Sequence, residues 1–353
     1  MMKILVLGGT GAMGKHLVNL LAERGDKVTV TTRTLCTNVT NIKYIQGNAR
    51  DKEFLYSLLD QPWDAIVDFM VYTTTDFSHR IEKLLVATNQ YMFLSSARVY
   101  SNTQNAITEE SSRLLDSSSD EEFLATDEYS LAKARQEDLL KKTVHTNWTI
   151  IRPYITYSEQ RFQLGVLEKE SWLYRALKGR TIIFSEDIAK KLTTLTYGLD
   201  VANAMSALIG ESKALNGLYH ITQGEACSWH NVLQLYLTVL EKHLGKKAKV
   251  TLLDLDKFST CKHAKYQINY DRMFNRSFNN AKVAEFVNVN AFQKHELMLA
   301  KCLEEFLENP KFQKIDWRSE AIMDSYSSEL ASFKEFTSLK QLIKYIVYRF
   351  IKY

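Results

Sequence analysis

A chain of 353 residues, 45% of them hydrophobic, exceeds one ordinary small domain and suits one large α/β unit or two lobes. Its formal net charge of +4 is dispersed, so no nucleic-acid partner is expected, and no stretch reaches the roughly 20 apolar residues of a membrane span. Cys36, Cys227, Cys261 and Cys302 are far apart and form no metal-type pairs, which fits reduced thiols, a cytoplasmic location and no metal.

The first element, "KILVLGG", is a short β-branched-rich run ending in glycines, and "MMKILVLGG" does not read as a secretory leader. "GKHLVNLLAERG" follows with helical spacing and a closing glycine, then "KVTVTTR" and "IKYIQGNARD" as strands. "KEFLYSLLDQ" is helical, "WDAIVDFMVY" strand-like, "HRIEKLLVATN" helical, and "QYMFLSS" a strand ending in small polar residues. Alternating elements with continuous apolar strands indicate a parallel sheet covered on both faces, which binds ligands at the carboxyl ends of its strands. Residues 101–127, rich in Ser, Asp and Glu, read as a long surface loop of the kind often found over a site. Helix "DEYSLAKARQ" and strand "NWTIIRPY" complete this half.

The expected fold is therefore α/β: a Rossmann-type doubly wound parallel sheet over residues 1–153, with a smaller, mostly helical substrate lobe over 154–353. Residues 190–224 are expected to pack back on the Rossmann part.

Two motifs carry chemistry. Gly9-x-Gly11-x-x-Gly14 ends a strand and opens a helix, the setting in which a backbone turns tightly and rests a pyrophosphate on a helix N-terminus. Gly8, Gly9, Thr10, Gly11, Ala12, Met13 and Gly14 are thus candidate dinucleotide contacts. Tyr129 and Lys133 stand four apart, on one helical face, where an ammonium lowers the pKa of a phenol and fits it for proton transfer. Chance occurrence of Tyr-x-x-x-Lys on a solvated helix is the alternative.

With these pieces in place, residues 2–290 resemble the extended short-chain dehydrogenase/reductases, a family of nucleotide-sugar epimerases, dehydratases and reductases. The resemblance rests on "GGTGAMG", "FLSSARVY", "YSLAK", "IIRP", "TLTYGLDVANAMSALIG", "GLYHIT" and "NRSFNNAKVAEF". It implies that Tyr129 is the acid/base. Lys133 would lower its pKa and bond the nicotinamide ribose, and Ser96 would hold the reacting oxygen. A hydroxyl that only caps the following segment is the other reading of Ser96. Ala97 and Arg98 occupy the positions of a dehydratase's Asp-Glu pair, so a dehydratase is not expected. Ile155 stands where the family usually has an asparagine on the nucleotide diphosphate. Arg272 and Arg276 remain as candidates for that anion, against plain pairing with Asp271 or Glu285.

The expected function is an NAD(P)-dependent epimerase or ketoreductase of a nucleotide-diphosphate sugar, with a homodimer open to it. A reductase of a non-nucleotide ketone and a non-catalytic sensor or RNA-associated protein are the alternatives. The second strand ends in Thr32 and Arg33 rather than an acid, and the nearest upstream acid, Asp26, lies in the preceding turn. This favours NADP over NAD, with Thr32, Arg33, Asn48 and Lys133 as further cofactor contacts, unless Arg33 merely stacks on adenine. Finally, "LKQLIKYIVYRFIKY" spaces Leu339, Leu342, Ile343, Ile346, Val347 and Phe350 as an amphipathic helix carrying Lys340, Lys344, Arg349 and Lys352. It is expected to dock on its own protein or a second subunit more readily than on a membrane surface.

Overall fold

A computed structural model describes residues 1–351, and Lys352 lies outside them. Strands β1 (Lys3–Leu7), β2 (Lys27–Thr32), β3 (Ile42–Gln46), β4 (Trp63–Asp68), β5 (Thr88–Leu94), β6 (Trp148–Pro153) and β7 (Gly217–Ile221) form one sheet. Their spatial order is β7-β6-β5-β4-β1-β2-β3, and every pairing is parallel. The strand order reverses between β1 and β4, and ligands of such sheets bind outside the carboxyl ends at that point.

The two-residue period of the strands sorts β1 between two cores. Ile4 and Val6 pack with Leu17, Leu21, Ala204 and Leu208 on one face, while Leu5 and Leu7 pack with Leu55, Phe77 and Leu84 on the other. Each such side chain, fully buried, contributes about 1.5–3 kcal/mol. Burial on both faces is why the strands read as unbroken apolar runs.

Met1–Ser158, Thr194–Glu225 and Ser277–Gln293 form a first compact unit that holds the sheet. The second unit takes Glu159–Thr193, Ala226–Arg276 and the chain from Lys294 on. The division is interleaved: a boundary after residue 153 with 190–224 packing back was expected, and Ser277–Gln293 also belongs with the sheet. The physical reason is visible in β7, which must return to pair with β6, and in Phe278, whose strand bridge to Ile107 recruits a late segment.

Residues 101–127 also differ from a plain surface loop. They contain the short helices Leu114–Ser117 and Glu121–Leu124, and Ile107, Leu114 and Phe123 are buried. Sparse apolar anchors within a polar composition hold the segment down.

In the second unit the helix Trp229–Leu244 is capped at both ends, Ser228 accepting from Asn231 N–H and Gly245 closing it at φ 67°. Trp172, on the helix Lys169–Leu177, stacks on its Tyr236 at 4.3 Å. Arg175 and Arg180 meet Glu320 and Asp324 of the helix Trp317–Ser327 at 2.8–3.1 Å, all four buried. Burial pushes the Glu320 carboxyl up to about 7 in spite of the two guanidiniums. Among the described residues no helix is long and apolar enough to cross a membrane.

Candidate active site and dinucleotide cradle

The glycine loop joins β1 to the helix Gly14–Glu23, and its glycines answer to different demands. Gly8 takes φ 73°, the left-handed region. A Cβ on Gly9 would lie 2.7 Å from Val6 Cγ1, and one on Gly14 would lie 2.8 Å from the Gly9 backbone, so the fold itself needs both. Gly11 is different: a Cβ there meets nothing within 4 Å, and its φ is not positive. The chain's own packing does not require glycine at Gly11, whereas a pyrophosphate approaching the backbone does. No side chain caps this helix and no acid lies in its first turn, among the described residues, which leaves its positive end open to an anion. The cradle fits a dinucleotide.

Gly11→Ala is accordingly expected to raise folding stability by about 0.4–1 kcal/mol, through a stiffer unfolded chain. The same change should weaken dinucleotide binding at least tenfold. Melting curves and cofactor titrations read the two effects separately; unchanged cofactor affinity would remove Gly11 from the cradle.

At the end of β2, Thr31 Oγ1 accepts from Gly8 N–H at 3.0 Å, tying the second strand to the loop. Thr32 Oγ1 bonds Thr34 locally at 3.1 Å, and Arg33 is exposed beside it. Asn48 is exposed past β3, its side-chain oxygen accepting from Arg50 N–H. Gly198, which opens the helix Gly198–Leu208, was missed by sequence reasoning. A Cβ there would collide with the Ala12 carbonyl, so the loop can be approached only by a glycine.

Ser96 follows β5 and caps the turn Ala97–Val99, its Oγ accepting from Arg98 N–H at 3.2 Å. The capping role is thus realised, and the hydroxyl hydrogen is still available as a donor. Tyr129 is the first residue of the helix Tyr129–Lys142, with Glu128 as its N-cap accepting from Ser130 N–H at 2.7 Å. The Arg98 guanidinium, paired with Glu128 at 2.6 Å, sits over the Tyr129 ring at 5.2 Å.

Lys133, one turn on, is buried. Its Nζ donates to Leu94 O at 2.7 Å and more weakly to Met70 O at 3.4 Å, at the carboxyl ends of β5 and β4. Burial lowers its pKa to about 8, and the negative charges of Asp68 and Glu137 oppose that shift. Asp68 itself, at the end of β4, is pushed up by burial, against which Met70 N–H, Tyr91 OH and Lys133 pull down.

Glu137 continues the face of Tyr129 and Lys133 by one more turn, and it too escaped sequence reasoning. Arg152 grips it with two bonds, Nε to Oε1 at 2.8 Å and Nη2 to Oε2 at 2.5 Å, and Ser95 Oγ donates to Oε1. Burial raises the Glu137 pKa, but Arg152 and Ser95 outweigh it and hold the carboxylate below its ordinary range. Arg152 also lies over the Tyr100 ring at 4.6 Å, and Tyr100 OH meets His220 Nδ1 at 3.2 Å. Burial depresses His220 to about 4, so the ring is neutral and donates through Nε2 to Asn279 O. A charge inside the apolar strand "NWTIIRPY" was the available signal for Arg152, because buried charges come with partners.

Arg272 and Arg276 lie in the second unit and are buried rather than at a surface. Both pair with Asp271, and Arg272 Nε donates to Gly165 O at 2.9 Å. Of the two acids weighed from sequence, Asp271 rather than Glu285 is the partner.

A doubly wound sheet with a glycine cradle at its switch point defines a dinucleotide-binding protein. The family described as RmlD substrate binding domain matches residues 2–307, and the chain belongs to it. Among curated relatives, a chloroplast stem-loop binding protein of 41 kDa from Arabidopsis thaliana is 24% identical over 237 residues, covering 62% of this chain and 58% of its own. A UDP-glucose 4-epimerase from Streptococcus mutans is 34% identical over 79 residues, covering 20% of this chain and 24% of its own. The chain thus spans less than two thirds of either relative. The Bordetella bronchiseptica enzyme WbmH, solved with NAD+, superposes with a TM-score of 0.66 at 15% identity, covering 88% of this chain and all (100%) of its own.

Proposed function

We propose that the protein is an NAD(P)-dependent epimerase or ketoreductase of a nucleotide-activated sugar, with Ser96, Tyr129 and Lys133 handling the proton. The observation that carries this reading is the Lys133 ammonium, buried at the carboxyl ends of β4 and β5 one helical turn from Tyr129. Burying a charge is costly, and Lys133, unlike Glu137 with its Arg152, is held by backbone carbonyls rather than by a salt bridge, which suits a charge kept for chemistry. A bound nicotinamide supplies or accepts the hydride. Tyr129 takes the hydroxyl proton when a carbinol is oxidised and returns it when a ketone is reduced. Lys133 favours the phenolate, and the Ser96 hydroxyl donates to the same substrate oxygen. An epimerase runs both halves and a reductase the second alone.

Arg272 and Arg276 are the candidates for the diphosphate, which would share them with Asp271. Assaying turnover of nucleotide-diphosphate hexoses, with UDP affinity measured for wild type, Arg272→Lys and Arg276→Lys, tests the reading. Turnover of a nucleotide sugar supports it, and turnover of free ketones without any UDP affinity would replace it by a ketone reductase. The stem-loop binding relative favours a second reading, a nucleotide-binding RNA-associated protein. The buried Lys133 beside Tyr129 counts against it, since RNA binding needs neither; RNA affinity without turnover would establish it.

NADP is the assigned cofactor in preference to NAD. Arg33, exposed at the end of β2 with no acid beside it, suits a 2′-phosphate. Charge-assisted bonds of this kind contribute about 1.5–3 kcal/mol, so Arg33→Ala is expected to weaken NADP roughly 10- to 100-fold and leave NAD nearly unchanged. Dissociation constants for both cofactors decide it, and a wild-type preference for NAD would reverse the assignment.

A further inference from the structure

The family match ends at residue 307, and the chain continues through Trp317–Ser327 into the helix Leu339–Ile346 and a further π-helical turn, Val347–Ile351. One face of this last helix is docked. Tyr345 is buried against Trp317 and Ala321, and its hydroxyl donates to Asp324 Oδ2 at 2.5 Å. Docking of this segment was expected.

The opposite face is apolar and exposed. Leu339, Ile343, Ile346 and Phe350, spaced i, i+4, i+7 and i+11, are 71%, 52%, 39% and 59% exposed, and Ile351 follows at 71%. In an ordinary surface helix the apolar face would be the buried one. Here Tyr345, with the half-buried Tyr348 beside it, holds the inner face, and the exposed face carries Leu339, Ile343, Ile346 and Phe350. Lys340 and Lys344 flank the stripe on one side and Arg349 on the other, and no acidic residue occurs between 339 and 351. Lys344 also reaches Asp316 at 3.1 Å, so Lys340 is the cation least engaged within the fold.

We propose that this face is a membrane-surface site, laid into the interface of an anionic lipid bilayer. An apolar stripe bordered by Lys340 and Arg349, on a helix that carries no acidic residue of its own, is the pattern of a helix that lies in the headgroup boundary. The long lysine stems keep their ammoniums among the headgroups while the stripe enters the acyl region. A second copy of the chain fits the surface less well. Standard protein interfaces recruit roughly 20–30 residues a side, far more than five outward side chains. Pairing two such stripes would also bring like charges together along both flanks. Docking through Tyr345 and the Arg175/Arg180 cluster fixes the stripe outward, so the bilayer meets a preformed surface and no ordering of the chain is needed.

The test is co-sedimentation of the full chain with phosphatidylcholine vesicles and with phosphatidylcholine–phosphatidylserine vesicles. At least tenfold tighter binding to the anionic vesicles is expected, falling with added salt. Ile343→Ser/Phe350→Ser should lose at least tenfold in affinity, and Lys340→Gln roughly fivefold. Both variants change exposed side chains, so their melting temperatures should match wild type, and dinucleotide binding gives a second check on folding. Equal binding to neutral vesicles, wild-type binding by the double variant, or no binding at all would overturn the proposal. So would a dimer, seen by light scattering, that the double variant abolishes in a protein that ignores vesicles.

Discussion

Tyr129→Phe is expected to lower turnover by at least 10²-fold while leaving the fold and dinucleotide affinity intact, the loss typical of removing a general acid/base. The side chain keeps its ring and so its position beneath the Arg98 guanidinium; only the ionisable oxygen goes. Lys133 adds a signature in pH. Its ammonium titrates at about 8 because burial disfavours the charge, so it is charged below that pH and neutral above it. The contribution of Lys133 to kcat/KM is therefore present at neutral pH and lost as pH rises through about 8, and Lys133→Met should remove that ionisation from the profile. Linkage gives a second readout of the same shift. Between about 8 and the ordinary 10.5 the unfolded chain binds more protons here than the folded one, so this group makes stability rise with pH across that window. Near wild-type turnover in Tyr129→Phe would take the phenol out of the mechanism.

Glu137→Leu is expected to be the most destabilising single change, by about 3–5 kcal/mol, because it leaves the Arg152 guanidinium buried without its anion. Glu137 and Arg152 are 0% and 1% exposed, so water cannot stand in. The double variant Glu137→Leu/Arg152→Met should recover much of the loss, since a buried ion pair exchanged for apolar groups of similar size is often neutral. Denaturation midpoints of the two variants against wild type measure this. A single-variant cost under about 1 kcal/mol, or a double variant no better than the single, would show that the pair does not act as a unit. The prediction also bears on the site, because Glu137 fixes Ser95, the neighbour of Ser96, and its charge is felt by Lys133.

What the sequence determined by itself was everything local or periodic. Unbroken apolar runs specify strands covered on both faces, and the sheet has them in β1, β4 and β5. Glycines between a strand and a helix specify a tight turn, and the i, i+4 spacing puts Tyr129 and Lys133 on one face wherever the helix lies. Only the tertiary structure decided what depends on segments distant in sequence. Asp68 is set near Lys133 by the parallel pairing of β4 with β5, and Arg152 meets Glu137 because β6 pairs with β5. Gly198 answers to Ala12 across the fold. Residues 190–224 were expected to rejoin the sheet, but the recruitment of Ser277–Gln293 through the Phe278–Ile107 bridge was decided only in three dimensions. Arg272 and Arg276 read from sequence either as forks for a diphosphate or as surface partners of Asp271 or Glu285; their burial with Asp271 is a property of the surroundings that spacing does not encode. The last helix makes the same point. Its amphipathicity was plain in the sequence, but which face turns outward was fixed by Tyr345 finding Asp324 and Trp317, a contact no local pattern announces.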